Sequence, residues 1–232
     1  MPNELILIVT LIIEYTAVVA AYRLFDKIGL YIWVAIATVL ANIEVMMLVK
    51  AFGIEMTLGN ILFASTFLAT DILSEKYGKQ TARRGAIIGI ASSVVFVIIS
   101  SSWLLYRPSP NDVYSSAINM VFSNTPRIVA ASIVVYAIVQ LLDVRLYHKV
   151  WDMTAKYGDS KKGLWIRNNV ATIVSQIVNA ILYNIVAFAG TYSLGTLIEI
   201  IVSNVLIYLI TSLADTPFLY LARKLGNKNP RG

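Results

Sequence analysis

The chain has 232 residues, 58% of them hydrophobic and only 14% charged, against roughly 25% charged in ordinary soluble domains. That is too little charge to clothe a soluble domain of this length, so a soluble class is excluded. A net charge of +6 and a pI near 9.4 would suit a nucleic-acid partner, but no basic stripe interleaves with aromatics, and none is expected. The absence of cysteine and a single histidine, His148, exclude disulfides, thiolate metal sites and histidine-rich metal centres, so neither metal nor cofactor is expected.

Hydrophobic runs near 20 residues, the length a helix needs to cross about 30 Å of hydrocarbon, predict an all-α integral membrane protein with seven spans. They fall at 5–22, 28–49, 57–73, 85–106, 128–146, 165–189 and 194–213. Alternation over about 10 residues, the mark of an outer-membrane barrel, is absent. The first run follows Met1-Pro2-Asn3-Glu4, which lacks the basic region of a signal peptide, so it is expected to stay as a helix. Tyr22, Tyr31, Trp33, Trp103, Tyr106, Trp165 and Tyr192 fall near span ends, where amphipathic rings prefer the interface. Between the fourth and fifth spans, residues 112–122 suit a short interfacial helix.

Charge orients the spans. Sixteen of the 19 Lys and Arg residues lie in the first, third and fifth loops and the tail, leaving only Lys50, Arg107 and Arg127 for the other side. The positive-inside rule then places the N-terminus outside and the C-terminus in the cytoplasm.

Polar residues inside the spans carry the functional reading, because a mid-bilayer charge costs about 2.5–3.5 kcal/mol. Asn169, Thr172, Gln176, Asn179 and Tyr183 recur every three or four residues along span six, while Asn204, Tyr208, Thr211 and Asp215 do so along span seven. Gln140 and Asp143 share a face of span five. Depth separates two groups. Asn42, Glu44, Gln176, Asn179, Glu199 and Asn204 form a central-to-outer polar cluster. Asp71, Glu75, Gln140 and Asp143 lie toward the cytoplasm near Arg83 and Arg84, where an ion pair such as Asp71 with Arg83 or Arg84 would lock helix ends. Interhelical hydrogen bonding alone explains any single amide; several amides with a carboxylate favour a polar cavity. No P-loop, HExxH or GxSxG motif is present, so no enzyme chemistry is expected.

The segment Phe67 to Arg84, with its T-D-I-L-S-E-K-Y-G-K string at 70–79, resembles the signature of the queuosine precursor transporter family, formerly grouped with vitamin uptake transporters. Ala41-Asn42-Ile43, the stretch 136–146 with Gln140-Leu141-Leu142-Asp143, the stretch 176–179 and Glu199 resemble it too. Ala64 stands where the family often has Pro, and Asn179 where many members have Asp. The resemblance covers 28–222 and implies a six-helix core similar to the substrate-binding S components of energy-coupling-factor transporters. Residues 1–27 would add one helix within a single domain spanning 1–232.

Membership implies uptake of 7-deazaguanine bases, precursors of a modified tRNA nucleoside, across the inner (plasma) membrane by a facilitator or secondary transporter. The alternative is an S component requiring a separate energising module. For such a ligand, Glu199 would accept from the base N–H and amino groups. Gln140, Gln176, Asn179, Asn204 and Asn42 would complete the pocket, and Phe63, Phe67 or Tyr183 would stack on the ring. Asp71, Arg83, Arg84 and Asp143 would form the cytoplasmic gate. The expected partners are the nucleobase and the lipid bilayer, with a homodimer left open.

Overall fold

The structure, a computed structural model, describes residues 2–123, 126–155, 163–188, 190 and 193–225. Tyr192, Lys156, Lys161, Lys162, Lys228 and Arg231, placed above at an interface or among the loop and tail charges, lie outside that set, as does the side chain of Arg127.

The chain is helical almost throughout: α1 (Asn3–Glu44), α2 (Gly59–Tyr77), α3 (Lys79–Trp103), α4 (Ser115–Phe122), α5 (Pro126–Ala155), α6 (Leu164–Phe188) and α7 (Leu194–Leu225). At 1.5 Å per residue the 42 residues of α1 would reach about 63 Å, twice the hydrocarbon thickness. The helix does not run straight. Asp26 has φ 55 and ψ −143, a positive-φ conformation outside the helical region that side chains rarely adopt. A Cβ on Gly29 would collide with the carbonyl of Ala21, eight residues earlier, so the chain doubles back. The arms 3–25 and 27–44 therefore form a helical hairpin, and the Tyr77 hydroxyl donates to the Asp26 carboxylate at its bend.

The arm 27–44 leads into a β-hairpin, β1 (Leu48–Ala51) paired antiparallel with β2 (Ile54–Thr57). The sequence reading ran the second span to 49 and began the third at 57. The turn explains the difference: Phe52 (φ 52) and Gly53 (φ 74) make a two-residue loop with positive φ at both positions, which suits the twist of a tight hairpin. Asn3 Nδ2 donates to the Lys50 carbonyl (2.9 Å) and the Phe52 N–H to Glu4 (2.9 Å), fastening this hairpin to the start of α1.

Five helices (α1, α3, α5, α6 and α7) contain stretches long and apolar enough to cross a membrane. Their exposed faces carry Ile12, Ile36, Ile98, Ile185 and Leu206, as lipid contact requires. The exception is α2, which carries Asp71, Glu75 and Lys76 and sits in the middle. Every residue from Gly59 to Ser74 except Phe63 is buried, so α2 need not be apolar. Small residues make this burial feasible: a Cβ on Gly59 would come within 2.8 Å of the Ala41 carbonyl, and Ser65 accepts from Trp33 Nε1 at 2.9 Å. Around α2 the core joins Tyr15, Val18, Leu30, Val34, Leu68, Leu73 and Leu219, from both arms of α1, α2 and α7.

Gly78, at φ 80, lies in the turn between α2 and α3, a conformation that side chains rarely adopt. The short helix expected within 112–122 is α4. Asp112 accepts from the N–H groups of Tyr114 (2.8 Å) and Ser115 (2.7 Å). The Ser115 backbone bond, more than any other contact, holds its carboxyl below the usual carboxylate range.

Candidate functional site

One face of α2 carries Asn60, Phe63, Phe67, Thr70, Asp71 and Glu75, spaced by three or four residues over most of the helix. Stripes from α5, α6 and α7 face it, so polar groups stack in tiers from the β-hairpin end to the opposite, basic end of the bundle.

The first tier, nearest the β-hairpin, is a continuous chain of hydrogen bonds. Asn179 Nδ2 donates to the Tyr208 hydroxyl (3.1 Å), Tyr208 donates to Asn60 Oδ1 (2.9 Å), and Asn60 Nδ2 donates to Asn204 Oδ1 (3.4 Å). The second tier is aromatic and amide. Phe63 packs edge-on against Phe67 (5.3 Å between centroids) and Tyr136 (5.2 Å), and Tyr183 packs against the same apolar cluster. Gln140 Nε2 donates to Thr70 Oγ1 at 2.9 Å. Its Oε1, and both amide atoms of the buried Gln176, find no hydrogen-bond partner among the described residues.

The third tier is acidic. Asp71, Asp143 and Asp215 are buried, with Asp71 in electrostatic reach of the other two. Thr172 donates to Asp71 Oδ2 (3.1 Å), and Asn168 Nδ2 donates to Asp215 Oδ1 (2.6 Å). Asn169 Nδ2 ties the same stretch of α7 by donating to Thr216 Oγ1 at 2.8 Å.

The fourth tier closes the basic end. Arg167 is 0% exposed and donates through Nη2 to both oxygens of Glu75 at 2.7 Å and through Nε to Oε2 at 3.0 Å. Tyr147 also donates to Glu75 (3.0 Å), and Arg223 Nε lies 3.5 Å from Glu75 Oε1. The Arg167 guanidinium carbon sits 4.3 Å from the Trp151 ring centroid, a cation–π contact. Lys76 Nζ donates to the Arg223 carbonyl at 2.8 Å.

Of the residues singled out from sequence, Phe63, Phe67, Gln140, Gln176, Asn179, Tyr183 and Asn204 fall in the upper two tiers, and Asp71 and Asp143 in the third. Two lie elsewhere. Asn42 donates to the Thr38 carbonyl (2.7 Å) and to Ser93 Oγ (3.3 Å), so it joins α1 to α3. Glu199 is exposed in the second turn of α7, near a helix end where a charge is cheaper than at mid-bilayer. Arg83 and Arg84 are exposed while Asp71 is fully buried. Arg83 lines a cavity of 320 Å³ with Lys79 and Arg145, on the flank of α3 and α5. Glu14 is buried with Oε2 unpartnered among the described residues, and no role follows from its surroundings.

Sequence reasoning missed Asn60 and the burial of Arg167. Asn60 was legible as a polar residue on the helical face of Phe63 and Phe67. Arg167 fell inside the run 165–189 yet was counted with the loop charges.

Comparison with known proteins now adds to the geometry. Residues 57–222 match the family model described as "Putative vitamin uptake transporter". The chain is 34% identical over 214 residues, 92% of each chain, to a Bacillus subtilis (strain 168) protein named "Probable queuosine precursor transporter". The chain belongs to this transporter family. No solved structure matches it. Family membership and five apolar helices make it a multi-pass membrane protein. The family match begins at Thr57 and ends at Ala222, enclosing the first three tiers and all of the fourth but Arg223, and neither arm of α1.

Proposed function

We propose that this protein carries 7-deazaguanine queuosine precursors across the inner (plasma) membrane as a facilitator or secondary transporter. One observation carries the reading: in the tier of Phe63, Phe67 and Tyr136 along the buried face of α2, Gln140 and Gln176 carry amide atoms with no hydrogen-bond partner among the described residues. Buried polar groups are almost always hydrogen-bonded, and leaving one bare costs about 1–3 kcal/mol. A planar heterocycle with several donors and acceptors compensates them while stacking on the rings. The name of the Bacillus subtilis relative supports a queuosine precursor as that heterocycle.

The proposed site comprises Phe63, Phe67, Gln140, Gln176, Asn179, Tyr183 and Asn204, with Asn42 and Glu199 outside it. The Glu75–Arg167 pair closes the cytoplasmic side, a role the sequence reading gave to Asp71, Asp143, Arg83 and Arg84. The two arms of α1, with α2, α3, α5, α6 and α7, make seven crossings, N-terminus outside and C-terminus in the cytoplasm. The arm 3–25 is the addition to a six-helix core. No P-loop is present in the chain, and transport in this reading needs no ATPase.

Proteoliposomes containing only this protein test the proposal. Labelled 7-deazaguanine is expected to enter saturably without ATP and to be competed by 7-substituted deazaguanines. Uptake no faster than in protein-free vesicles would overturn it.

A further inference from the structure

Asp71, Asp143 and Asp215 share the acidic tier but differ in what they already hold. Asp71 accepts from Thr172 and Asp215 from Asn168. Asp143, 0% exposed, has neither oxygen in a hydrogen bond of normal geometry among the described residues, although the hydroxyls of Ser175 and Thr172 and the carboxyl of Asp71 lie around it. The buried cation at this end, Arg167, is already engaged by Glu75 and Trp151. A buried carboxylate with two open oxygens and no cation is costly unless donors are delivered to it.

The surroundings define those donors. Gln140, one turn before Asp143 on α5, keeps a bare Oε1, and Gln176 on α6 keeps both amide atoms bare. Phe67, one turn before Asp71 on α2, supplies an apolar wall. Two parallel carboxylate oxygens match two adjacent N–H groups in one plane, as in other bidentate carboxylate contacts.

We infer that Asp143 is the specificity-determining residue of the transporter, accepting the ring N–H and the adjacent exocyclic amino group of a 2-amino-4-oxopyrimidine ring. The inference rests on the function proposed above. Gln176 and Gln140 meet the ring carbonyl and remaining edge, and the ring plane lies against Phe67. A base with this donor pair is selected over one that lacks the amino group, because the second carboxylate oxygen would otherwise stay buried and bare. Asp143, assigned to a gate from sequence alone, thereby reads the ligand.

Binding of 7-deazaguanine and 7-deazahypoxanthine, which differ in the 2-amino group, to the purified full-length protein tests this. The wild type is expected to prefer 7-deazaguanine by about tenfold or more. Asp143→Asn replaces one acceptor by a donor and is expected to bring the ratio near unity, while Asp143→Glu retains part of it. A purely structural role would weaken both ligands alike and keep the ratio. Binding of both bases by the wild type without preference overturns the inference with no variant needed. So does an unchanged ratio in Asp143→Asn, and in both cases the transport reading stands. Failure of the wild type to bind either base overturns the transport reading and this inference with it.

Discussion

Arg167 is buried with three hydrogen bonds to Glu75 and a cation–π contact with Trp151. A buried ion pair is weak evidence of net stabilisation, but removing one partner strands the other charge. Arg167→Met is therefore expected to destabilise the folded protein by about 3–5 kcal/mol, read from thermal unfolding in detergent. Adding Glu75→Gln is expected to recover most of that loss. A single variant that unfolds at the wild-type temperature would show that Glu75 finds compensation elsewhere. At this scale the sequence was legible where helical spacing sufficed: Gln176, Asn179 and Tyr183 lie on one stripe whatever their neighbours. It was not legible where direction relative to another helix mattered. Asn42 is as polar as Asn179, yet its face of α1 meets Ser93 on α3. Nothing in the local sequence distinguishes the two.

Elements were readable from hydropathy because lipid-facing helices must be apolar outside. The same logic does not hold for α2, which the sequence reading nonetheless placed at 57–73. With 15 of its 19 residues buried, its environment is other helices, and the polar content that weakens its hydropathy signal makes it the axis of the site. The β-hairpin was hidden for a different reason. Leu48 and Val49 prolong the apolar run of the preceding arm, and only the Phe52-Gly53 turn marks the change of period. The bend of α1 lies in the polar Arg23–Lys27 stretch, which the sequence reading already treated as a loop. At Asp26 the chain turns sharply enough to bring Gly29 against Ala21.

At the scale of the molecule, the tiers along α2 place a hydrogen-bonded amide chain at one end, an acidic layer below the aromatic core, and a buried ion pair at the other end. The bend at Asp26, the α2–α3 turn, Tyr147, Arg167 and Arg223 meet at one end. These residues belong to the regions that hold most of the Lys and Arg, which is why charge asymmetry points to a cytoplasmic C-terminus. The native chain lacks cysteine, so single-cysteine reporters are unambiguous. On intact cells an impermeant thiol reagent is expected to label Ser109→Cys and to spare Lys224→Cys; the reverse pattern would invert the topology.

If a deazaguanine base binds among the polar groups along α2, titration of 7-deazaguanine into the purified protein, with Gln176→Leu and Glu199→Gln beside the wild type, shows it. The wild type is expected to bind, Gln176→Leu to bind at least about tenfold more weakly, because two buried amide contacts are lost, and Glu199→Gln to bind unchanged. Full affinity in Gln176→Leu with loss in Glu199→Gln would contradict it and move the site to the exposed face of α7.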